Sequence, residues 1–173
     1  SNDTIQMKRL LVEEIQKERK RGRPVLVILD SVKRVDEIIY LFPDAGIIKG
    51  INPEQEREVI KNAGKPRTLT IATLAAGRGM DIKLDQQSKD AGGLHVIIPY
   101  LMPNVRCLEQ AIGRSGRQGQ PGTATVYVDK NDKYDLSIEF HETHGHLNKL
   151  QKEFSDYLRK EYKGRENETS FIK

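Results

Sequence analysis

The stretch "RPVLVILDSVKRVDEI", residues 23–38, decides the fold. Its core, "VLVILD" (25–30), is a short apolar run rich in β-branched residues. A strand covered on both faces reads this way, because neither face has to meet water. Asp30 and Ser31 follow with side-chain oxygens suited to capping a helix. Val32, Val35, Ile38, Ile39 and Leu41 then recur at helical spacing until Pro43 ends the helix. A buried strand that turns at once into a helix predicts a crossover unit, and crossovers build parallel sheets.

The same alternation extends in both directions. Upstream, Ile5, Leu10, Leu11 and Ile15 predict a helix over 4–21, closed by Gly22. Downstream, "AGIIKG" (45–50) predicts a strand, and "PEQEREVIKNAG" (53–64) a helix with Pro53 in its first turn and Gly64 at its close. Strands are expected at "TLTIAT" (68–73), "LHVIIP" (94–99) and "TATVYV" (123–128), with a helix around 104–113. The expected architecture is an α/β three-layer sandwich around a mostly parallel sheet. In the tail, "HLNKLQKEFSDYLRKEY" (146–162) puts Leu147, Leu150, Phe154, Tyr157 and Leu158 on one stripe. A C-terminal amphipathic helix is expected there, packed on this domain or on a neighbour. The chain thus divides into a domain over 4–137 and a helical extension over 138–173.

Composition sets limits on function. With 173 residues the chain is one domain's worth. A net charge of +4 is mildly basic and no nucleic-acid signature by itself. Much of the excess sits in "KERKRGR" (17–23), where cations at a helix end complement the dipole. Binding of RNA or acidic lipid is the sharper alternative for that run. Cys107 is the one cysteine, which excludes a disulfide framework and a cysteine-rich zinc site. No run is long enough to span a membrane, and no secretory signal is visible. The missing initiator Met and the opening Ser1-Asn2 are expected of a fragment of a longer protein. His95 falls in a buried-looking strand as a core residue, and "HETHGH" (141–146) groups three histidines at a spacing that matches no metal motif.

Two segments at strand ends carry the candidate chemistry, since ligands of open parallel sheets gather at the carboxyl ends of the strands. In "TIATLAAGRGMDI" (70–82), Gly77 and Gly79 permit close backbone approach, and the Asp81 carboxylate can accept a hydrogen bond from a ribose hydroxyl. The plainer alternative is an ordinary turn, with Arg78 solvated and Asp81 capping the next helix. In "QAIGRSGRQGQPG" (110–122), Arg114 and Arg117 lie three apart and share a face if the segment is helical. Both present planar forks suited to phosphate oxygens. Here the alternative is two surface arginines in a glycine-rich loop. Together, the two segments are more specific than either alone.

"ATLAAGRGMDIKL", "GGLHVI" and "QAIGRSGRQGQPG" in that order resemble the second nucleotide-binding domain of the SecA family of preprotein-translocase ATPases. The resemblance runs from the helix before residue 23 to about residue 137. It implies a RecA-like fold of the P-loop NTPase helicase C-terminal type, within the superfamily 2 motors. It also implies ATP with Mg2+ in a cleft shared with a first motor domain, which would supply the phosphate-binding loop and the magnesium ligands. By resemblance Asp81, with Gly77 and Gly79, contacts the nucleotide, and Gln110 opens the last motif. Arg114 and Arg117 match arginine fingers for the γ-phosphate, and Arg78 couples the two domains. The implied partners are that first motor domain, a polypeptide substrate, and a membrane or translocon, with a cytoplasmic or peripheral location.

No G-x-x-x-x-G-K-[ST] occurs, because "NAGKPRT" puts Pro66 where Ser or Thr must stand. The isolated chain is therefore expected to be inactive. The stretch "PYLMPNVRCLE" (99–109) departs from the family's arginine-rich segment. Two other readings remain open at this point: a nucleic-acid helicase domain, and a binding or regulatory module without its own ATPase activity.

Overall fold

The computed structural model describes residues 2–77, 80–99, 111, 120–127, 133–139 and 146–147. Helix α1 (Asn2–Lys20) leads into β1 (Val25–Leu29). There follow α2 (Val32–Ile38), a 3-10 turn (Ile39–Leu41), β2 (Gly46–Ile48), α3 (Pro53–Asn62) and β3 (Leu69–Thr73). The series continues with α4 (Gln86–Asp90), β4 (Leu94–Ile98), β5 (Gly122–Tyr127), β6 (Lys133–Glu139) and β7 (His146–Leu147).

The strands form one sheet in the order β2-β3-β1-β4-β5-β6-β7. Its first five strands in that order are parallel, and β6 and β7 continue it antiparallel. The expected α/β architecture is therefore present. β1 lies centrally, with Val25 paired to Leu69 on one side and to His95 on the other. Every residue of β1, β3 and β4 is buried, as the apolar runs require.

Both faces are covered. On one, Leu11 and Ile15 of α1 and Val35 and Ile38 of α2 pack with Val25, Val27, Leu29, Leu69, Ile71 and Ile97. Each such aliphatic side chain withdrawn from water contributes about 1.5–3 kcal/mol. On the other face, Val59 of α3 sits against Gly46 of β2. Local signals set the helix ends: Ser31 Oγ accepts from the Arg34 amide at 3.3 Å, and Asn52 Oδ1 from the Gln55 amide at 3.4 Å.

One element is added and one expectation changes. The segment 83–91 holds the short helix α4, which has too few apolar residues to show a period. The helix expected from residue 146 does not begin there, because His146 and Leu147 pair with Glu139 and Ile138 as a strand. The rest of the amphipathic stripe lies outside the described residues. So does the helix expected around 104–113, apart from Ala111, which is helical and buried.

Candidate functional site

Strands β1, β2 and β3 run the same way and end side by side at Leu29, Ile48 and Thr73. The residues that follow them, Asp30–Val32, Lys49–Gly50 and Ala75–Ala76, line a cleft of about 370 Å³ together with Thr73. Small side chains make the room, since a Cβ at Gly50 would already touch the Ala76 methyl at 3.4 Å. The rim is held by hydrogen bonds. Glu56 accepts from the amides of Gly50, Ile51 and Asn52 at 2.6, 3.1 and 2.9 Å. Gly50 has φ +81, the left-handed region that lets consecutive amides converge on one anion. The charged side chains of the cleft are paired: Asp30 with Arg34 at 3.3 Å, and Lys49 with Asp36 at 2.6 Å.

Beyond β3 the chain turns tightly. Leu74 donates to the Leu29 carbonyl at 2.8 Å, tying the turn to the end of β1. Thr73 accepts twice, its Oγ1 from the Ala76 amide at 3.1 Å and its carbonyl from Gly77 at 3.0 Å. Met80, buried, donates its amide to the Gly77 carbonyl at 3.0 Å. Asp81 follows, exposed, and among the described residues its carboxylate has no partner. It does not cap a helix, because α4 begins at Gln86 with Asp85 in the capping position. Of the expected site residues, the structure thus places Gly77 and Asp81 in one loop. Arg78, Gly79, Gln110, Arg114 and Arg117 lie outside the described residues.

A second polar cluster stands at the opposite, amino-terminal edge. Arg23 is buried, donating Nη1 to Glu18 at 3.0 Å, Nε to the Gly93 carbonyl at 3.0 Å, and Nη2 to the carbonyls of Gly92 and Leu94 at 3.1 and 3.3 Å. Burial pulls its guanidinium below the ordinary value, and Glu18 opposes that. His95 meets Glu14 through Nε2 at 3.1 Å and Thr123 through Nδ1 at 2.6 Å, while Thr125 donates to Glu14 at 3.0 Å. Oxygens of Glu14 and Glu18 and a nitrogen of His95 lie within 4.8 Å of one another, close enough to surround a cation. The protein's own cations serve these carboxylates, Arg23 directly and Lys17 and Arg21 at 3.6–4.0 Å.

Of the basic residues in the run 17–23, only Arg23 is therefore interior, while Lys17 and Arg21 reach the buried carboxylates from exposed positions. Arg19 is paired as well, with Nη2 on Asp44 at 2.5 Å and Nε on the Arg67 carbonyl at 2.7 Å. Sequence reasoning missed the burial of Arg23. The available signal was its place two residues before a fully apolar strand. Among the described residues no helix is long and apolar enough to cross a membrane.

Comparison with known proteins places these features in context. Residues 3–90 match the family model for the SecA P-loop domain. The chain is similar to the protein translocase subunit SecA 2 of Lactobacillus johnsonii, 36% identical over 88% of this chain and 20% of that protein. It is 39% identical to the SecA subunit of Campylobacter lari over 70% of this chain and 15% of that protein. The chain thus spans about a fifth or less of the length of these curated relatives. Among solved structures, the Escherichia coli DEAD-box protein SrmB superposes with a TM-score of 0.55 at 26% identity, over 71% of this chain and 70% of that chain. Domain 2 of the DEAD-box helicase Mss116p, solved on an RNA duplex, gives a TM-score of 0.54 at 15% identity, over 73% of this chain and 50% of that one. The fold is RecA-like.

Proposed function

The chain belongs to the SecA P-loop domain family, and from that premise we propose that it is the second motor domain of an ATP-driven polypeptide translocase or remodeller. The observation that carries this reading is the loop after β3, which presents an exposed Asp81 carboxylate next to buried Met80, just past the turn bonded to the end of β3. An acceptor there suits a ribose hydroxyl. Arg114 and Arg117, from the glycine-rich segment before β5, meet the γ-phosphate and neutralise the charge that develops as it leaves. Gln110 and the glycines at 77 and 79 complete this half of the site, and Arg78 couples it to the other half.

No phosphate-binding signature occurs in these residues, so a first motor domain holds the phosphates. Mg2+ bound there supplies charge neutralisation at the phosphate oxygens. In this reading the whole protein works in the cytoplasm or at the membrane periphery, on a polypeptide and with a translocon.

The experiment is ATP turnover by the full-length protein and its Arg117→Ala variant. A loss of about 10³–10⁵-fold is expected of an arginine finger. Undiminished turnover in a folded variant rejects the assignment. The 173-residue chain alone is expected to bind ATP weakly and not to hydrolyse it.

The likeness to SrmB favours a second reading, a nucleic-acid helicase domain. The one lysine lining the cleft is already paired with Asp36, which weighs against a phosphate backbone lying there. Single-strand binding that falls steeply with salt would favour the helicase.

A further inference from the structure

Asp81 and Ile82 belong to no helix or strand, so their placement depends on what holds the chain on either side. On the near side the anchor is Met80, buried and bonded to Gly77. On the far side it is Gly64, in the turn between α3 and β3. A Cβ at Gly64 would overlap the Lys83 carbonyl and stand 3.0 Å from Leu84 Cα, so the backbone at 83–84 lies directly on this glycine. The Gly64 carbonyl then accepts twice from the same segment: from the Asp85 amide at 3.2 Å, and from the hydroxyl of fully buried Ser88 at 2.7 Å. Asp81 is thereby suspended between two fixed points, with only Ile82 between it and the clamped segment.

We propose that Gly64 and Ser88 are positioning residues for the Asp81 carboxylate. Neither touches the nucleotide. They clamp segment 83–88 against the α3–β3 turn, so that the carboxylate is held where a ribose hydroxyl arrives instead of being ordered upon binding. A group ordered beforehand loses less freedom when the ligand binds, which is how a remote contact enters affinity. The inference rests on the reading of Asp81 as the ribose acceptor, and its test separates the two.

The measurement is kcat and KM of the full-length protein for ATP and for its 2′-deoxy and 3′-deoxy analogues. Wild type should penalise at least one analogue by about tenfold or more, as expected for a hydrogen bond to a charged acceptor. Asp81→Asn should collapse that penalty. Gly64→Ala should collapse it too, raising KM for ATP by about ten- to a hundredfold through a displaced carboxylate. Its effect on kcat should be smaller, since the lost contact serves binding. Ser88→Ala should act in the same direction but less, because Asp85 still bonds Gly64. A variant that merely folds less well lowers turnover of all three nucleotides alike and leaves the penalty intact.

If Asp81→Asn leaves the penalty unchanged, the ribose reading falls and the clamp has nothing to position. If Asp81→Asn collapses it while Gly64→Ala and Ser88→Ala do not, the clamp is refuted and the ribose reading stands. Should Gly64→Ala fail to fold, Ser88→Ala decides alone. A second readout needs no turnover: in the clamped arrangement the Asp85 amide exchanges slowly with solvent, and Ser88→Ala should speed it. Unchanged exchange would also overturn the clamp.

Discussion

At the amino ends of β1, β4 and β5, four ionisable side chains are buried: Glu14, Glu18, Arg23 and His95, between 3% and 5% exposed. Each is bonded to another of them or to the backbone of Gly92–Leu94. At the carboxyl ends of β1, β2 and β3, the charges stand at a rim instead. Asp30 and Lys49 are about a quarter exposed, and the groups around them, Gly50, Ala75 and Ala76, are small. One edge locks helix α1 onto the sheet and the other leaves room. Buried charges without partners are costly, so losing one group at the first edge penalises the groups left behind. The second has open space beside the strand ends instead. The buried charges and the open cleft therefore lie at opposite edges of one sheet, with β1 the strand common to both.

The sharpest way to break that contrast is Arg23→Ala. It leaves Glu18 buried without its close partner and deprives three carbonyls of their donor, and the expected loss is about 3–5 kcal/mol. Chemical denaturation reads it, and a loss below about 1 kcal/mol would mean the amino edge is not the lock described. Glu56→Ala tests the other edge. Three amides at Gly50–Asn52 lose their acceptor, at a cost of about 1–3 kcal/mol. The disturbance should stay local: amide exchange should quicken at 50–52 and hold steady along β4. Equal loosening of β4 would show the two edges to be one cooperative unit.

The smallest effect belongs to Asp44, whose carboxylate is held below its ordinary range by the hydrogen bond from Arg19. A folded value below the unfolded one means the contribution is present at neutral pH and vanishes as pH falls through that lowered value. Asp44 is more than half exposed, so solvent screens the pair. Asp44→Asn should cost less than about 1 kcal/mol at pH 7. Stability curves of variant and wild type should converge in acid. A gap that persists at low pH would assign the contribution to something other than this ion pair.

Much of the fold was legible because its signals are local. "VLVILD" reads as a strand without any partner in view because a continuous apolar run has nowhere to go but a core, and "TLTIAT" does so through its β-branched residues. Pro53 and Gly64 bounded α3 in the same way. The antiparallel continuation β6–β7 was not legible, because pairing depends on a neighbour that the segment itself does not name. In the site, Asp81 was visible through its glycine-flanked motif. Its clamp was not, because Gly64 and Ser88 lie 17 and 7 residues away in sequence and meet only in the folded chain.

The sequence by itself determined the alternation of strands and helices, the family resemblance, and the lack of a phosphate-binding signature in these residues. Each of these is carried by spacing within a few residues. Only the tertiary structure decided that Arg23 of a basic run is interior, that β1 lies between β3 and β4, and that Gly64 supports the loop of Asp81. Those facts depend on which distant segments share a surface, and burial, unlike periodicity, is a property of the assembled chain.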